Sequence, residues 1–228
     1  MIMNLGRNTH KRNWLTVFLS AYGVFVFIPF LAPVMMKWNL DGLGRAIYFV
    51  YSFICHRLPE RSLFFFGTKW MHSVDEIRAV WQDTDNPLIL RQFIGNSEMG
   101  WKVAWSDRMI SMYGGIWLAG LIWGLLPRHT RKVSIWVFVL FALPMALDGM
   151  THLISDLSGL FNGFRYTNGW LAIATNTIFA PTFYVGDGLG SFNSWMRWVT
   201  GLLFSFGLVW WAFPYLEENF NIEQVTNY

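Results

Sequence analysis

Residues 14–36 read WLTVFLSAYGVFVFIPFLAPVMM, a stretch with no charged side chain. The hydrocarbon core of a bilayer is crossed by about 20 predominantly apolar residues in a helix, so this segment is long enough to span. Arg7, Lys11 and Arg12 stand before it, as basic residues do at the start of a signal peptide. The apolar run is longer than a signal h-region and no A-x-A-like cleavage site follows, so it reads as an uncleaved helix. Pro29 and Pro33 are expected to bend or end its last turns.

Working outward, Met109–Leu126 (MISMYGGIWLAGLIWGLL), 133–155 and Trp195–Leu216 are three further apolar stretches of spanning length. Asp148 and His152 lie in the final third of the third span, and Arg197 near the start of the fourth. Two other apolar runs read differently. Residues 46–66 contain CHRLPERS, and an arginine or aspartate at mid-bilayer costs roughly 2.5–3.5 kcal/mol. This run is therefore expected to form a helix, a turn and a short re-entrant or interfacial piece. Residues 170–185, with Asn176 and Pro181, are expected on the interface. The fold class is accordingly all-α: one polytopic membrane bundle over 1–228, with about four transmembrane helices and a re-entrant or interfacial segment. Residues 67–105 and 156–191 are expected to be non-cytoplasmic loop insertions.

Composition agrees. Of 228 residues 54% are hydrophobic, 19% aromatic and 14% charged, against about 25% charged in an ordinary soluble domain. Disordered and low-complexity classes are excluded. A net charge of +3 without a basic run is too weak for a nucleic-acid footprint. Cys55 is the single cysteine, which rules out an intrachain disulfide, a C-x-x-C pair or a cysteine-only zinc site. The basic residues of the N-terminal tail, with Arg128, Arg131 and Lys132 between the second and third spans, predict that both termini are cytoplasmic. Aromatic residues at the span ends, Trp14, Trp38, Trp195 and Tyr215 among them, read as interfacial anchors. Ser73-x-x-Glu76 reads as a capping box, and Pro87 as the start of a second short helix. Gly120-x-x-x-Gly124 and Gly201-x-x-x-Ser205 are small-residue pairs that let helices approach, either within the chain or at an oligomer face. His10, His72 and His129 are expected to be solvated.

This topology delivers ionisable groups from four segments to one end of the bundle. Cys55, His56, Arg57, Glu60 and Arg61 follow the first span; Asp107 and Arg108 open the second; Asp148, His152 and Asp156 close the third; Arg197 opens the fourth. Ionisable groups at membrane depth usually face a bundle interior and mark function. Several chemistries fit. Asp148 and His152, four apart on one helical face, could join Cys55 and His56 around a divalent metal such as zinc. Cys55 beside a histidine could be a nucleophile. Arg61, Arg108 and Arg197 could contact an anion, or could neutralise Glu60, Asp107 and Asp148 as structural ion pairs.

The same segments carry a resemblance. Ser52–Gly67 (SFICHRLPERSLFFFG), Leu143–His152 (LPMALDGMTH) and Asn193–Phe204 (NSWMRWVTGLLF) resemble three blocks of a family of small bacterial membrane proteins catalogued as domain of unknown function 2085. The resemblance implies a helical membrane fold in the bacterial inner membrane and no established activity. Many members carry a cysteine pair at the start of the second span; here those positions are Ser106 and Met109. Three functions are open. The first is an accessory or structural subunit contacting lipid and other membrane subunits. The second is a metal-binding enzyme or metal-handling protein, and the third a small transporter.

Overall fold

The computed structural model describes residues 13–126, 132–159 and 161–226. Helix α1 (Asn13–Lys37) runs through both Pro29 and Pro33 to Lys37 rather than ending at them. Helix α2 (Asp41–Tyr51) follows, then a 3₁₀ turn at Pro59–Arg61. Strand β1 (Ser62–Phe65), helix α3 (Val74–Val80), helix α4 (Pro87–Leu90) and strands β2 (Gly95–Asn96) and β3 (Gly100–Ser106) make a lobe of short elements between α2 and the next helical run. Helix α5 (Asp107–Met109), a π turn at Ile110–Gly114 and α6 (Gly115–Leu125) form one helical run. Helices α7 (Ile135–Asp156), α8 (Phe164–Thr167), α9 (Gly169–Ala174), α10 (Pro181–Tyr184) and α11 (Phe192–Thr226) complete the chain.

The chain is mostly helical. Among the described residues three helices are long and apolar enough to cross a membrane: α1, α7 and the Phe192–Phe220 part of α11. The expected second span, 109–126, falls within the continuous helical run Asp107–Leu125, of which the regular α6 part has only 11 residues, below spanning length by itself. Helix α11 continues past the expected end of the fourth span at 216 to Thr226.

The all-α expectation is corrected by an antiparallel sheet of order β1-β3-β2. Strand β3 (GWKVAWS) buries Lys102, Val103, Ala104 and Trp105 completely, as a strand covered on both faces does. Gly95 and Gly100, at φ 107° and 82°, supply backbone that only glycine adopts without strain where β2 turns into β3. In residues 46–66 the expected helix and turn are present, but the third piece is β1 rather than a re-entrant segment. Ser73 and Glu76 form the reciprocal capping box, and Pro87 opens α4 behind an Asn86 cap.

Trp14 at the start of α1 donates to Glu217 near the end of α11, 2.8 Å. Lys132, just before α7, pairs with Glu218. The start of α1, the approach to α7 and the end of α11 therefore share one end of the molecule. Leu15, Ile116, Ala119, Trp123, Val209 and Phe213 form the core there. The lobe of short elements lies at the other end, where Tyr51, Cys55 and Trp105 pack with Ala32 and Met36 of α1. Gly120, Gly201 and Ser205 are buried, whereas Gly124 is exposed beside Leu15. A Cβ on Gly120 would meet Leu19 at 2.9 Å, one on Gly124 Leu15 at 3.1 Å, and one on Gly201 would collide with Ser111. Ser205 donates to Met112 O at 2.6 Å, covering a carbonyl within the π turn.

Candidate functional site

At the lobe end, aspartates and arginines alternate in a ring. Asp107 is the first residue of α5, where a carboxylate suits the helix dipole, and is fully buried. Arg197, in the second turn of α11, places Nε 2.8 and 2.7 Å from its two oxygens. The Arg197 Nη1 donates to Asp187 Oδ1 and its Nη2 to the Asp187 carbonyl, both at 2.7 Å. Arg61 Nε donates to the other oxygen of Asp187 at 2.8 Å, and its two terminal nitrogens reach Asp156 at 3.2 and 3.3 Å. On the other side of Asp107 its neighbour Arg108 donates to Asp148 Oδ2 at 2.6 Å. Arg165 donates to Asp148 Oδ1 at 2.5 Å. Asp148 and Asp156 both belong to α7, eight residues apart, so that helix closes the ring.

Local sequence explains the placement. Gly149 follows Asp148, and a Cβ there would stand 2.9 Å from Arg108 Nη1; the glycine lets the guanidinium lie against the helix. Asp187 stands between Gly186, at φ 85°, and Gly188, so a turn can aim both its carboxylate and its carbonyl at Arg197. Asn193 and Arg197 are four apart on one face of α11. Asn193 donates to Arg165 O at 2.6 Å and Gly186 O at 3.1 Å, fixing the two segments that bring Arg165 and Asp187 into the ring. Asn168, completely buried, donates to Arg165 O and Tyr184 O at 2.7 and 2.8 Å.

Electrostatics separates two neighbouring carboxylates. Burial alone would raise the Asp187 pKa, but the Arg61 and Arg197 guanidiniums overcome it and hold the group well below the usual carboxylate range. Glu60 is pushed the other way: burial raises its pKa against the pull of Arg61. Its two oxygens are buried without a hydrogen-bond partner among the described residues. His152 Nε2 lies 3.2 Å from Arg165 Nη2. A guanidinium only donates, so in this contact the ring nitrogen is the acceptor.

Most of the expected polar residues therefore meet. Asp107, Arg108, Asp148, Asp156, Arg61 and Arg197 are in the ring, and His152 lies against it. Arg61 neutralises Asp156 and Asp187 rather than Glu60. The expected metal set is not assembled. Among the described residues no three of His, Cys, Asp and Glu are grouped to hold an ion. Cys55 is buried with its sulfur 3.5 Å from Ser106 Oγ, and His56 is exposed. The acid of the proposed set, Asp148, is taken by two arginines. His72, expected in solvent, is 3% exposed, with Nε2 2.9 Å from Met99 O. The tail and loop residues Arg7, His10, Lys11, Arg12, Arg128, His129 and Arg131 lie outside the described residues. Sequence reasoning missed Asp187 and Arg165; for Asp187 the signal was its flanking glycines.

Residues 97–211 match the family described as "Predicted membrane protein (DUF2085)". The chain belongs to that family. The matched stretch contains every ring residue of this DUF2085 chain except Arg61. It holds the blocks Leu143–His152 and Asn193–Phe204, while Ser52–Gly67 lies before it. An uncharacterized protein of Methanocaldococcus jannaschii, MJ1492, is 26% identical over 171 residues, covering 71% of this chain and 86% of the relative. A relative of this chain is thus archaeal, whereas a bacterial setting was expected. No solved structure matches the DUF2085 chain.

Proposed function

We propose that this chain is a non-catalytic structural or accessory protein of a membrane, and that the charge ring is a lock joining helix ends to loops rather than a reacting site. The observation that carries this reading is the matching of the ring: Asp107, Asp148, Asp156 and Asp187 against Arg61, Arg108, Arg165 and Arg197. Each of these groups is engaged within the chain. Removing one partner of a buried ion pair leaves an uncompensated charge and is strongly destabilising.

Helix α7 supports the membrane setting. Its buried residues are Asp148, His152 and Ser155, while Leu140, Leu147, Met150, Leu153 and Ile154 are exposed. A helix polar inside and apolar outside suits a lipid or membrane-protein neighbour. In this reading the helical run Asp107–Leu125 is a fourth crossing. Both termini are cytoplasmic in an inner membrane, 67–105 and 156–191 face away from the cytoplasm, and other membrane subunits pack along α7. Light scattering of the protein extracted in mild detergent tests the subunit role. The expected result is a particle containing a second polypeptide in a fixed ratio; a monodisperse single chain contradicts it.

A further inference from the structure

A second polar site lies apart from the ring, where α1 turns into α2. Arg57 is held at φ 50°, a region that side chains other than glycine, asparagine and aspartate seldom adopt. Its side chain is 7% exposed and stands 5.8 Å from the centre of the Tyr48 ring. Nε and Nη1 are both buried without a hydrogen-bond partner among the described residues. An unmatched buried donor, charged above all, costs free energy.

The surroundings add positive charge instead of neutralising it. Arg57 lines a cavity of about 560 Å³ together with Arg45 and Arg91. Arg91 is half-buried and gives one nitrogen to Ser52 O at 2.9 Å. Burial first, and the Arg91 guanidinium next, draw the Arg57 pKa below its ordinary value. Lys102 Nζ donates to the carbonyls of Arg57 and Arg91, 3.0 and 2.8 Å, so one buried side chain fixes both arginine-bearing turns. Asp41, exposed on the rim, is the acid among the lining residues. Phe49, 65% exposed, lines the cavity too, on a helix whose Leu43 and Val50 are also exposed.

We propose that this cavity binds a phosphate group, with the unmatched Arg57 guanidinium as the main donor and Arg91 and Arg45 beside it. Guanidinium presents paired N–H donors that match phosphate oxygens, and the ligand would satisfy the donors the chain leaves open. The phosphate is that of an anionic lipid headgroup or is free in solution, and both arise from the same chemistry.

The test uses the full chain, purified in non-ionic detergent and stripped of lipid, with melting temperature as the readout. Inorganic phosphate is titrated in one arm and phosphatidylglycerol in mixed micelles in the other. The wild type should show a saturable rise in at least one arm. Arg57→Gln should move the midpoint about ten-fold or more to higher concentration, the loss expected for a charge-assisted hydrogen bond, and Arg91→Gln should shift it in the same direction. A response to phosphatidylglycerol alone assigns the site to a headgroup; a response to inorganic phosphate alone assigns it to a soluble ligand. If Arg57→Gln does not fold, Arg57→Lys, which keeps the charge and loses the fork, replaces it with the same expected direction. Equal responses in wild type and variants, or none in either arm, overturn the proposal.

Discussion

Arg197 and Asp107, ninety residues apart, are joined by one guanidinium nitrogen placed 2.8 and 2.7 Å from both carboxylate oxygens, at a position where Asp107 is completely buried. The pair ties the start of α11 to the start of the α5–α6 run. Because Arg197 also holds the side chain and carbonyl of Asp187, the same residue recruits a loop. A desolvated network of this kind adds little stability over an apolar core, yet is costly to break from one side. Its value is in fixing one arrangement of elements that apolar packing alone would leave free to slide.

The contact between α7 and Arg108 depends on a missing side chain. Gly149→Ala places a Cβ 2.9 Å from Arg108 Nη1 and should push that guanidinium off Asp148. The expected cost is about 1–3 kcal/mol, typical of overpacking, read by thermal unfolding in detergent. Gly42→Ala, in α2 with open space around it, should be neutral or slightly stabilising. Equal effects of the two substitutions would contradict this account of Gly149.

Asp187 and Glu60 should respond to pH with opposite signs. The folded-state pKa of Asp187 is depressed. Its stabilisation is therefore complete above the ordinary value near 3.8 and is lost only as pH falls through the lower folded value. The folded-state pKa of Glu60 is raised, so its favourable contribution is complete below the ordinary value of 4.5 and is lost as pH rises through the folded value. At pH 7, Asp187→Asn should lower the melting temperature and Glu60→Gln should raise it. As pH falls through the raised folded-state value of Glu60 the wild type should gain stability, and that gain should be absent in Glu60→Gln. A lower melting temperature for Glu60→Gln at pH 7 would contradict the assignment.

Orientation is checked with the cysteine background. Cys55 is 3% exposed and should react slowly with a membrane-impermeant maleimide, so an introduced cysteine reports its own position. Asp75→Cys, at a site 87% exposed in α3, should be labelled in intact cells. Lys132→Cys, at the opposite end of the bundle, should be labelled only after permeabilisation. The reverse pattern would invert the proposed topology.

The long helices were legible because their apolar runs match bilayer thickness and leave no other reading. Convergence of Asp107, Asp148 and Arg197 at one end followed from antiparallel order alone. The sheet was not legible: β2 has two residues and β1 four, too short for periodicity, and β3 carries a completely buried lysine where strand patterning expects an apolar residue. Arg165 and Asp187 escaped notice because they come from the short α8 and a glycine-rich loop. Such segments have no repeating pattern to place a side chain, and their positions are set by Asn168 and Asn193 hydrogen bonds that bridge distant residues. The metal reading joined residues at the same depth, but depth does not give azimuth: Cys55 faces Ser106, and Asp148 faces Arg108 and Arg165.

The structural-lock account is tested most directly by a double-mutant cycle on Asp107 and Arg197, with unfolding free energy in detergent as the readout. Asp107→Asn and Arg197→Gln should each cost several kcal/mol, with about 3–5 kcal/mol for the variant that leaves a buried charge unmatched. The double variant should cost less than the two together, giving a coupling of about 1–3 kcal/mol. Additive effects, or single variants as stable as the wild type, would contradict the claim that the ring holds the lobe end together.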